Sequence, residues 1–494
     1  MPYRKKLSAL QTQIAEGPLR PGGFLRNVLT LTTGTTLSQA IMLAALPILT
    51  RLYTPSDIGL LAAFTVLSTI ISTLACLGYE PAIVLPKREE TALSLWLLCL
   101  LLGAAVTGVS WVVLATWPHE IASIMGNQEL ENFLGLVPLT IFIWAITVAT
   151  TQWCTRHRQF SIVSMNMVAN RTTTVTTQVL FGAAGVTTGP MGLLLGFIGG
   201  SFAGLGMLLN RSRKILMFRA WHRLRLKRIL WLFYYYREYA GYGLASNLMG
   251  AIVRALPVFS LGYFFTPAAV GYFALANQLV AGPVQLVTNS IVDVFYERAK
   301  RAKEEGNLAE LTARIYGTLI ALLMTPLALL SIAAPELISL LLGADWIETG
   351  IYIRWMAIWF FFLSGITPLF RIFLILGRQN ELAIVNVASL LVSIATLLLG
   401  GLYGNATQTI ILFCIGSTFV RTGEALRVMF ISGNSIKLVA QLPAREFIKS
   451  APLILPMLLT SFISTNQVLV ATVFFLLIGV FAATRLKSII SAAT

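Results

Sequence analysis

Four arginines stand inside strongly apolar stretches of this chain: Arg171, Arg254, Arg371 and Arg421. A charge at the centre of a bilayer costs about 2.5–3.5 kcal/mol on insertion scales, so such a residue normally faces a cavity or a partner. Arg171 lies roughly 16 Å into its stretch at 1.5 Å per residue, which is near the midplane of a membrane. Arg254 lies slightly beyond the midplane, and Arg371 is close enough to one end to snorkel towards water.

The acidic residues around these arginines are few. Glu424 lies one helical turn from Arg421 and is positioned to pair with it, whereas no acid lies one turn from Arg171 or Arg254. A guanidinium group offers planar, bidentate donors that suit phosphate. An interior with arginine and almost no unpaired acid therefore favours an anionic substrate.

Polar residues follow the helices that carry these arginines. Spaced polar or small residues form four predicted faces: Asn166, Asn170, Thr174 and Gln178; Asn247, Gly250 and Arg254; Gln278, Gly282, Gln285, Asn289 and Asp293; Asn27, Thr30, Gly34, Ser38 and Gln39. Two interpretations stay open for each amide, because polar residues also hydrogen-bond between packed membrane helices. The candidate substrate-binding residues are Arg171, Arg254, Asn170, Asn247, Gln285, Asn289, Gln39 and Arg51.

The composition explains why charged residues within the apolar stretches point to a function. Of 494 residues 56% are hydrophobic and only 11% charged, with a mean hydropathy of +0.79. Soluble proteins carry about 25% charged residues, so this is an integral membrane protein. Its net charge of +16 does not indicate nucleic acid as a partner, because the basic residues lie between apolar stretches. The four cysteines lie in apolar runs without metal-ligand spacing, and we expect neither metal nor cofactor.

The apolar stretches predict an all-α membrane fold with about fourteen transmembrane helices, since each crossing needs about 20 mostly apolar residues. The predicted spans are 25–50, 57–79, 92–116, 133–154, 160–182, 189–209, 239–262, 270–293, 311–334, 351–376, 382–402, 408–431, 447–464 and 467–484.

The distribution of basic residues tests this count independently. Basic residues concentrate in the even-numbered connections, and the odd-numbered ones hold only Arg51 and Arg354 beside acids such as Glu120 and Glu348. Because Lys and Arg favour the cytoplasmic side, both termini are predicted to be cytoplasmic. Arg51 is thus an unusual basic residue on the outer face, where it is either an exit-site contact or the partner of a helix end.

The chain contains an internal repeat. Thr54–Leu61 reads TPSDIGLL and Thr266–Phe273 reads TPAAVGYF, and each copy lies between the first two spans of one half. Thr54 and Thr266 are expected to cap the second helix of each half, with the following proline in its first turn. Six spans precede the second half, so the two halves share one orientation, as in transporters whose two lobes enclose a central cavity and rock to alternate access.

This repeat divides the chain into five predicted parts: a cytoplasmic segment 1–24, an N-lobe 25–210, a basic linker 211–238, a C-lobe 239–432, and a C-terminal helix pair with its tail 433–494. The linker, with its RLRLKR run, is either an interfacial segment on the anionic inner leaflet or a plain basic connection.

Two segments resemble a known family. Thr33–Gly59 contains TRLYTPSDIG, and Gly78–Lys87 reads GYEPAIVLPK. Together they are similar to bacterial polysaccharide flippases of the O-antigen type, within the multidrug/oligosaccharidyl-lipid/polysaccharide exporter superfamily. The chain departs from that pattern at Gly78, where many members have an arginine, which leaves Glu80 without that neighbour.

The resemblance implies a flippase that moves an undecaprenyl-pyrophosphate-linked oligosaccharide, the repeat unit of O-antigen or an exopolysaccharide, across the bacterial inner membrane. It also implies membrane lipids, a polysaccharide polymerase and a chain-length regulator as partners.

Three acids near the predicted cytoplasmic side are candidates for binding a coupling ion or for forming structural ion pairs: Glu80, Asp293 and Glu424.

Two alternatives remain. A lipid II or multidrug exporter of the same superfamily would share the architecture, although a cation exporter would want a midplane carboxylate that spans 1 to 6 lack. A membrane polysaccharide polymerase would need catalytic groups on a sizeable outer loop, and the predicted outer connections hold a single histidine, His119. No catalytic triad, metal cluster or glycine-rich phosphate loop occurs, so we expect no enzymatic activity.

Overall fold

A computed structural model describes residues 21–185, 189–216, 226–463 and 466–486, and these ranges contain helices and no strand. Fourteen long helices follow one another: α1 Pro21–Leu52, α2 Pro55–Ala75, α3 Glu89–Thr116, α4 Val137–Arg156, α5 Phe160–Ala184, α6 Met191–Leu216, α7 Arg237–Phe264, α8 Pro267–Glu305, α9 Leu308–Leu342, α10 Ile347–Ile366, α11 Gln379–Tyr403, α12 Ala406–Ile431, α13 Leu438–Ile463 and α14 Gln467–Phe481. Each overlaps one of the fourteen predicted spans, with ends that differ by up to twelve residues, and together they confirm the all-α membrane fold.

Thirteen helical segments of the described chain are both long and apolar enough to cross a membrane. The helix missing from that group is α5, which has 25 residues and is therefore long enough. Its sequence holds two asparagines, an arginine, a glutamine and several threonines, which lower its hydropathy. The polarity that sets α5 apart is the same polarity that makes it a candidate site.

The repeated hinges have the predicted caps. The Thr54 hydroxyl accepts a hydrogen bond from the Asp57 amide at 3.3 Å, and the Asp57 carboxylate accepts one from the Thr54 amide at 2.9 Å. This reciprocal arrangement satisfies amides that would be unpaired at a helix start. In the second copy the Thr266 hydroxyl accepts a hydrogen bond from the Ala269 amide at 3.3 Å. A proline follows each threonine at the first turn.

The two hinges pack against each other. A β-carbon added to Gly59 would lie 1.9 Å from the Pro267 carbonyl oxygen, and one added to Gly271 would lie 1.9 Å from the Pro55 carbonyl oxygen. The contact is thus reciprocal, as a two-fold relation between the halves requires. Only glycine leaves room for such an approach of two backbones.

A second glycine contact lies nearby. A β-carbon on Gly126 would lie 1.7 Å from the Gly262 carbonyl oxygen, and one on Gly262 would lie 2.2 Å from the Met125 carbonyl oxygen. We call the side of the molecule that carries the 54–59 and 266–271 hinges the hinge face, and the opposite side the basic face. The N-lobe (α1–α6) and the C-lobe (α7–α12) therefore meet backbone to backbone at the hinge face.

The remaining parts attach at different places: the linker helix on the basic face, and the α13–α14 pair along the length of α9. Helix Leu226–Tyr235 follows α6, and its Phe233 carbonyl accepts a hydrogen bond from the Tyr79 hydroxyl at 2.8 Å. Arg228 forms an ion pair with Glu90 at 3.1 Å. The α13–α14 pair is held to the C-lobe by the bond from Thr325 to Ser450, at 2.8 Å between the two hydroxyl oxygens.

Candidate functional site

A cavity of about 480 Å³ lies between the two lobes, and we call it the central cavity. Helices α1, α2, α5 and α6 line it from the N-lobe, and α7 and α8 line it from the C-lobe. Both Arg171 and Arg254 belong to this lining, one from each lobe. The described lining residues include no aspartate or glutamate, so the cavity presents positive charge without a carboxylate to neutralise it.

Arg254 owes its position to a neighbouring glycine. A β-carbon at Gly250 would stand 3.2 Å from a terminal nitrogen of the Arg254 guanidinium, so the side chain lies back along its own helix over Gly250. This confirms that the two residues share the predicted face of α7. Asn247, the third member of that face, is exposed and lines neither this cavity nor the pocket described below.

Two predicted glutamines lie in the central cavity. Gln39 of α1 and Gln285 of α8 both line it. A β-carbon at Gly282 would be 3.3 Å from the Gln39 side-chain oxygen, so Gln39 reaches the opposite lobe. The structure thus brings together Arg171, Arg254, Gln39 and Gln285 from four helices of two lobes.

A second cavity, the N-lobe pocket, lies inside the first lobe and has a volume of about 350 Å³. It is lined from α1, α2, α4, α5 and α6 by Thr35, Ser38, Gln39, Ser68, Thr69, Ser72, Thr140, Ile143, Trp144, Thr147, Asn166, Met167, Asn170, Arg171, Phe197 and Ser201. Gln39, Thr69, Arg171 and Phe197 also line the central cavity. The two cavities are therefore contiguous, and Arg171 lies at their junction.

The polar face of α5 has a packing role as well. Glycines of α6 lie against it, since a β-carbon on Gly200 would lie 1.9 Å from the Thr174 hydroxyl, and one on Gly196 would lie 2.3 Å from the Gln178 side chain. The Gln178 amide also donates to the Leu193 carbonyl at 3.0 Å. These two residues therefore pack against α6 and also line the central cavity. Asn166 and Asn170 likewise pack against Gly204 of α6 and line the N-lobe pocket.

Arg51, like Asn247, is a predicted binding residue that lines neither cavity. Arg51 is exposed at the end of α1, next to the Thr50 carbonyl, which accepts a hydrogen bond from the Trp346 indole at 3.1 Å. Asn289 lies in α8, but its side chain, like that of the coupling candidate Asp293, lies outside the described residues.

The other two coupling candidates have different surroundings. Glu424 is 2% exposed, and its carboxylate pairs with Arg421 at 2.6 Å, as the sequence predicts. Glu80 lies in a short 3₁₀ helix, Glu80–Val84, between α2 and α3, with one buried carboxylate oxygen that has no hydrogen-bond partner in the described part of the chain. Burial raises the pKa of the Glu80 carboxyl above its usual value, because loss of water penalises the carboxylate.

Sequence reasoning missed most of the N-lobe pocket. Ser68 and Ser72 of α2 and Thr140 and Thr147 of α4 have small hydroxyl side chains that are common in any membrane helix. A signal was present in α2, where Thr65, Ser68, Thr69 and Ser72 recur at helical spacing. A second omission is Glu336 of α9, which has a buried carboxylate oxygen without a partner in the described structure.

A family model described as "polysaccharide biosynthesis protein" matches residues 48–350. No curated protein matches the chain in sequence. Among solved structures, the lipid II flippase MurJ in an inward closed conformation has a TM-score of 0.71 at 12% identity, covering 92% of this chain and 99% of MurJ.

Two further solved structures have the same fold. An inward-facing multidrug resistance MATE family transporter of the MOP superfamily has a TM-score of 0.59 at 14% identity, with 83% of this chain and 96% of that one covered. A MOP superfamily transporter from Pyrococcus furiosus has a TM-score of 0.54 at 12% identity, with 85% and 96% covered. At these identities the likeness establishes the architecture alone.

Proposed function

Because this chain belongs to the polysaccharide biosynthesis protein family, we propose that it is a flippase for an undecaprenyl-pyrophosphate-linked oligosaccharide. The substrate would be a repeat unit of O-antigen or an exopolysaccharide, moved from the inner to the outer leaflet of the bacterial inner membrane. One observation carries the proposal: Arg171 and Arg254, from opposite lobes, line one cavity whose described lining lacks acids. The family match and the transporter fold support it.

The arginines would act on the pyrophosphate. A bidentate, charge-assisted hydrogen bond from each guanidinium would replace the water that the phosphates lose on entering the membrane. The lipid tail would stay in the bilayer beside the lobes. Because one arginine belongs to each lobe, a bound pyrophosphate would hold the lobes together, and their separation would release it.

Transport would proceed by rocking of the lobes. The hinge-face contacts, at Gly59 with Gly271 and at Gly126 with Gly262, join the lobes on that side, and in the proposed cycle they would close the central cavity there. Opening them would expose the cavity to the opposite side of the membrane. The excess of Lys and Arg on the basic face supports a cytoplasmic location for that face and for both termini. No step of this cycle requires covalent chemistry, so the proposed function is non-enzymatic.

A cation exporter of the same fold is less well supported. A cationic drug would need a carboxylate partner in the central cavity, and the described lining offers none. The coupling ion stays a prediction. Glu80 is the remaining described candidate for binding that ion, since Glu424 forms an ion pair with Arg421.

Complementation of a deletion strain tests the proposal. Arg171→Ala and Arg254→Ala should abolish surface polysaccharide and cause lipid-linked oligosaccharide to accumulate inside, with normal protein levels. The matched control is Arg314→Ala, which removes an exposed arginine paired with Glu310 on the basic face, and it should behave as wild type. Full activity of both cavity variants would refute the arginine assignment. If the deletion instead blocked lipid II, the substrate assignment would be wrong.

A further inference from the structure

The N-lobe pocket has a chemistry different from that of the central cavity. Eight serine and threonine side chains and three amides line it, and Arg171, at its junction with the central cavity, is the only charged residue of the described lining. A pocket for a cation would hold a carboxylate, and a pocket for an apolar tail would hold aliphatic side chains. This lining instead suits a neutral ligand that is rich in hydroxyl groups.

Most of these hydroxyls present acceptors to the pocket. Ser38 donates its proton to the Gly34 carbonyl at 2.8 Å, Thr69 to the Thr65 carbonyl at 2.7 Å, and Thr147 to the Ile143 carbonyl at 2.7 Å. A hydroxyl that donates within its own helix keeps lone pairs that can accept a hydrogen bond. Such a lining can accept hydrogen bonds from the hydroxyl groups of a sugar.

Ser68 provides an independent sign of a missing partner. It is 4% exposed, lines the pocket, and has a hydroxyl oxygen without a hydrogen-bond partner in the described structure. A buried polar group left unpaired costs free energy, so native structures usually satisfy it. A ligand hydroxyl in the N-lobe pocket would supply the partner.

The size and position of the pocket narrow the ligand further. About 350 Å³ corresponds to about a dozen waters at ~30 Å³ each, which is the scale of a sugar ring rather than of a whole oligosaccharide. Trp144 adds a ring surface on which the apolar side of a sugar can stack. Arg171 at the junction would contact the phosphate to which that sugar is joined.

We propose that the N-lobe pocket is the subsite for the sugar attached directly to the pyrophosphate. This inference rests on the proposed function and adds an asymmetry to it. The pyrophosphate would lie between the lobes at Arg171 and Arg254, while its first sugar would enter the N-lobe alone. Selectivity for that sugar would therefore reside in the N-lobe hydroxyls and not in the C-lobe.

Binding to the purified full-length protein in lipid nanodiscs tests the subsite. The probes are undecaprenyl pyrophosphate and the same lipid carrying a single glucose, galactose or N-acetylglucosamine. Wild type should bind at least one sugar-bearing lipid about tenfold more tightly than the bare lipid. Ser68→Ala should reduce that difference by roughly two- to tenfold, the scale of one hydrogen bond. It should not lower the melting temperature, because it removes an unpaired buried hydroxyl.

Three further variants separate the possible results. Ser201→Leu, which fills the pocket, should remove the sugar preference and leave binding of the bare lipid unchanged. Arg254→Ala should weaken binding of all four lipids alike. Ser393→Ala, which removes a buried C-lobe hydroxyl bonded to the Ser389 carbonyl at 2.7 Å, should change neither and is the matched control.

The outcomes distinguish the subsite from the function. If wild type binds the bare and sugar-bearing lipids equally, or if Ser68→Ala leaves the preference intact, the subsite is refuted and the flippase proposal stands. If wild type binds none of the four lipids, both are refuted. Loss of the preference in Ser68→Ala without loss of stability supports the subsite even where Ser201→Leu fails to fold.

Discussion

Arg171 in the N-lobe and Arg421 in the C-lobe are both arginines within membrane helices, but their surroundings differ. Arg421 pairs with Glu424 at 2.6 Å and donates to the Ser389 hydroxyl at 3.0 Å. Arg171 lines two contiguous cavities and has no ion-pair partner among the described residues. The Arg421 guanidinium is used within the protein, whereas the Arg171 guanidinium remains available to an anion.

The interiors of the two lobes also differ. Both lobes bury large aromatic residues, such as Trp96 and Trp153 in the N-lobe and Trp346 and Tyr352 in the C-lobe, but the hydroxyl-lined pocket lies in the N-lobe. The hinges nevertheless remain alike in both lobes. The repeat has thus kept its lobe–lobe contact while the two interiors have acquired different chemistry.

The largest expected effect separates the two arginines. Arg421→Ala leaves the Glu424 carboxylate buried and unpaired, which should cost about 3–5 kcal/mol of stability. Arg171→Ala should leave stability nearly unchanged while abolishing lipid binding. Thermal unfolding of the purified variants measures the first effect, and the double variant Arg421→Met/Glu424→Leu should recover most of it. A comparable stability loss in Arg171→Ala would contradict the comparison.

The second prediction concerns the feature that the lobes share. Gly59→Leu and Gly271→Leu should each destabilise the closed hinge face by about 1–3 kcal/mol, since added carbons force the backbones apart. Spin labels at Glu120→Cys and Tyr403→Cys, one in each lobe, should then report longer distances. Gly108→Leu is the control, because nothing lies within 4 Å of its added β-carbon. An effect at only one of the two glycines would show that the hinges are not equivalent.

A smaller difference is expected between the two caps. Thr54→Ala should cost about 1 kcal/mol of stability, and Thr266→Ala should cost less. The reason is that Thr54 exchanges hydrogen bonds with Asp57, whereas the residue at the same position after Thr266 is Ala269. Melting temperatures of both variants, with Thr472→Ala in the middle of α14 as control, measure the difference. Equal losses would mean that the Asp57 contact adds nothing.

The smallest effect is expected at the linker. The Arg228–Glu90 pair is about one-third exposed on each side, so its coupling energy should be only about 0.2–1 kcal/mol. A double-mutant cycle with Arg228→Gln and Glu90→Gln measures it, and high salt should reduce it. A coupling energy that salt does not change would indicate a more buried contact than the structure shows.

The fold was largely predictable. Each membrane helix must satisfy its backbone polar groups by hydrogen bonds within itself, so it can be recognised from the length and hydropathy of one continuous stretch. The hinge caps were predictable for a similar reason, since Thr54 and Thr266 act on residues of their own helix. The candidate site was predictable only in part. Arg171, Arg254, Gln39 and Gln285 meet in the central cavity, whereas Asn247 and Arg51 lie elsewhere.

The sequence by itself determined the membrane class, the number of long helices, the repeat and the Arg421–Glu424 pair, because all of these depend on local composition and helical spacing. Tertiary structure alone decided which polar residues share a cavity, since contacts between α2, α4, α5 and α6 join residues that are far apart in the chain. It also decided that Gly59 faces Pro267 and that the Ser68 hydroxyl is left without a partner. Whether a buried polar group lacks a hydrogen-bond partner depends on every neighbouring helix at once.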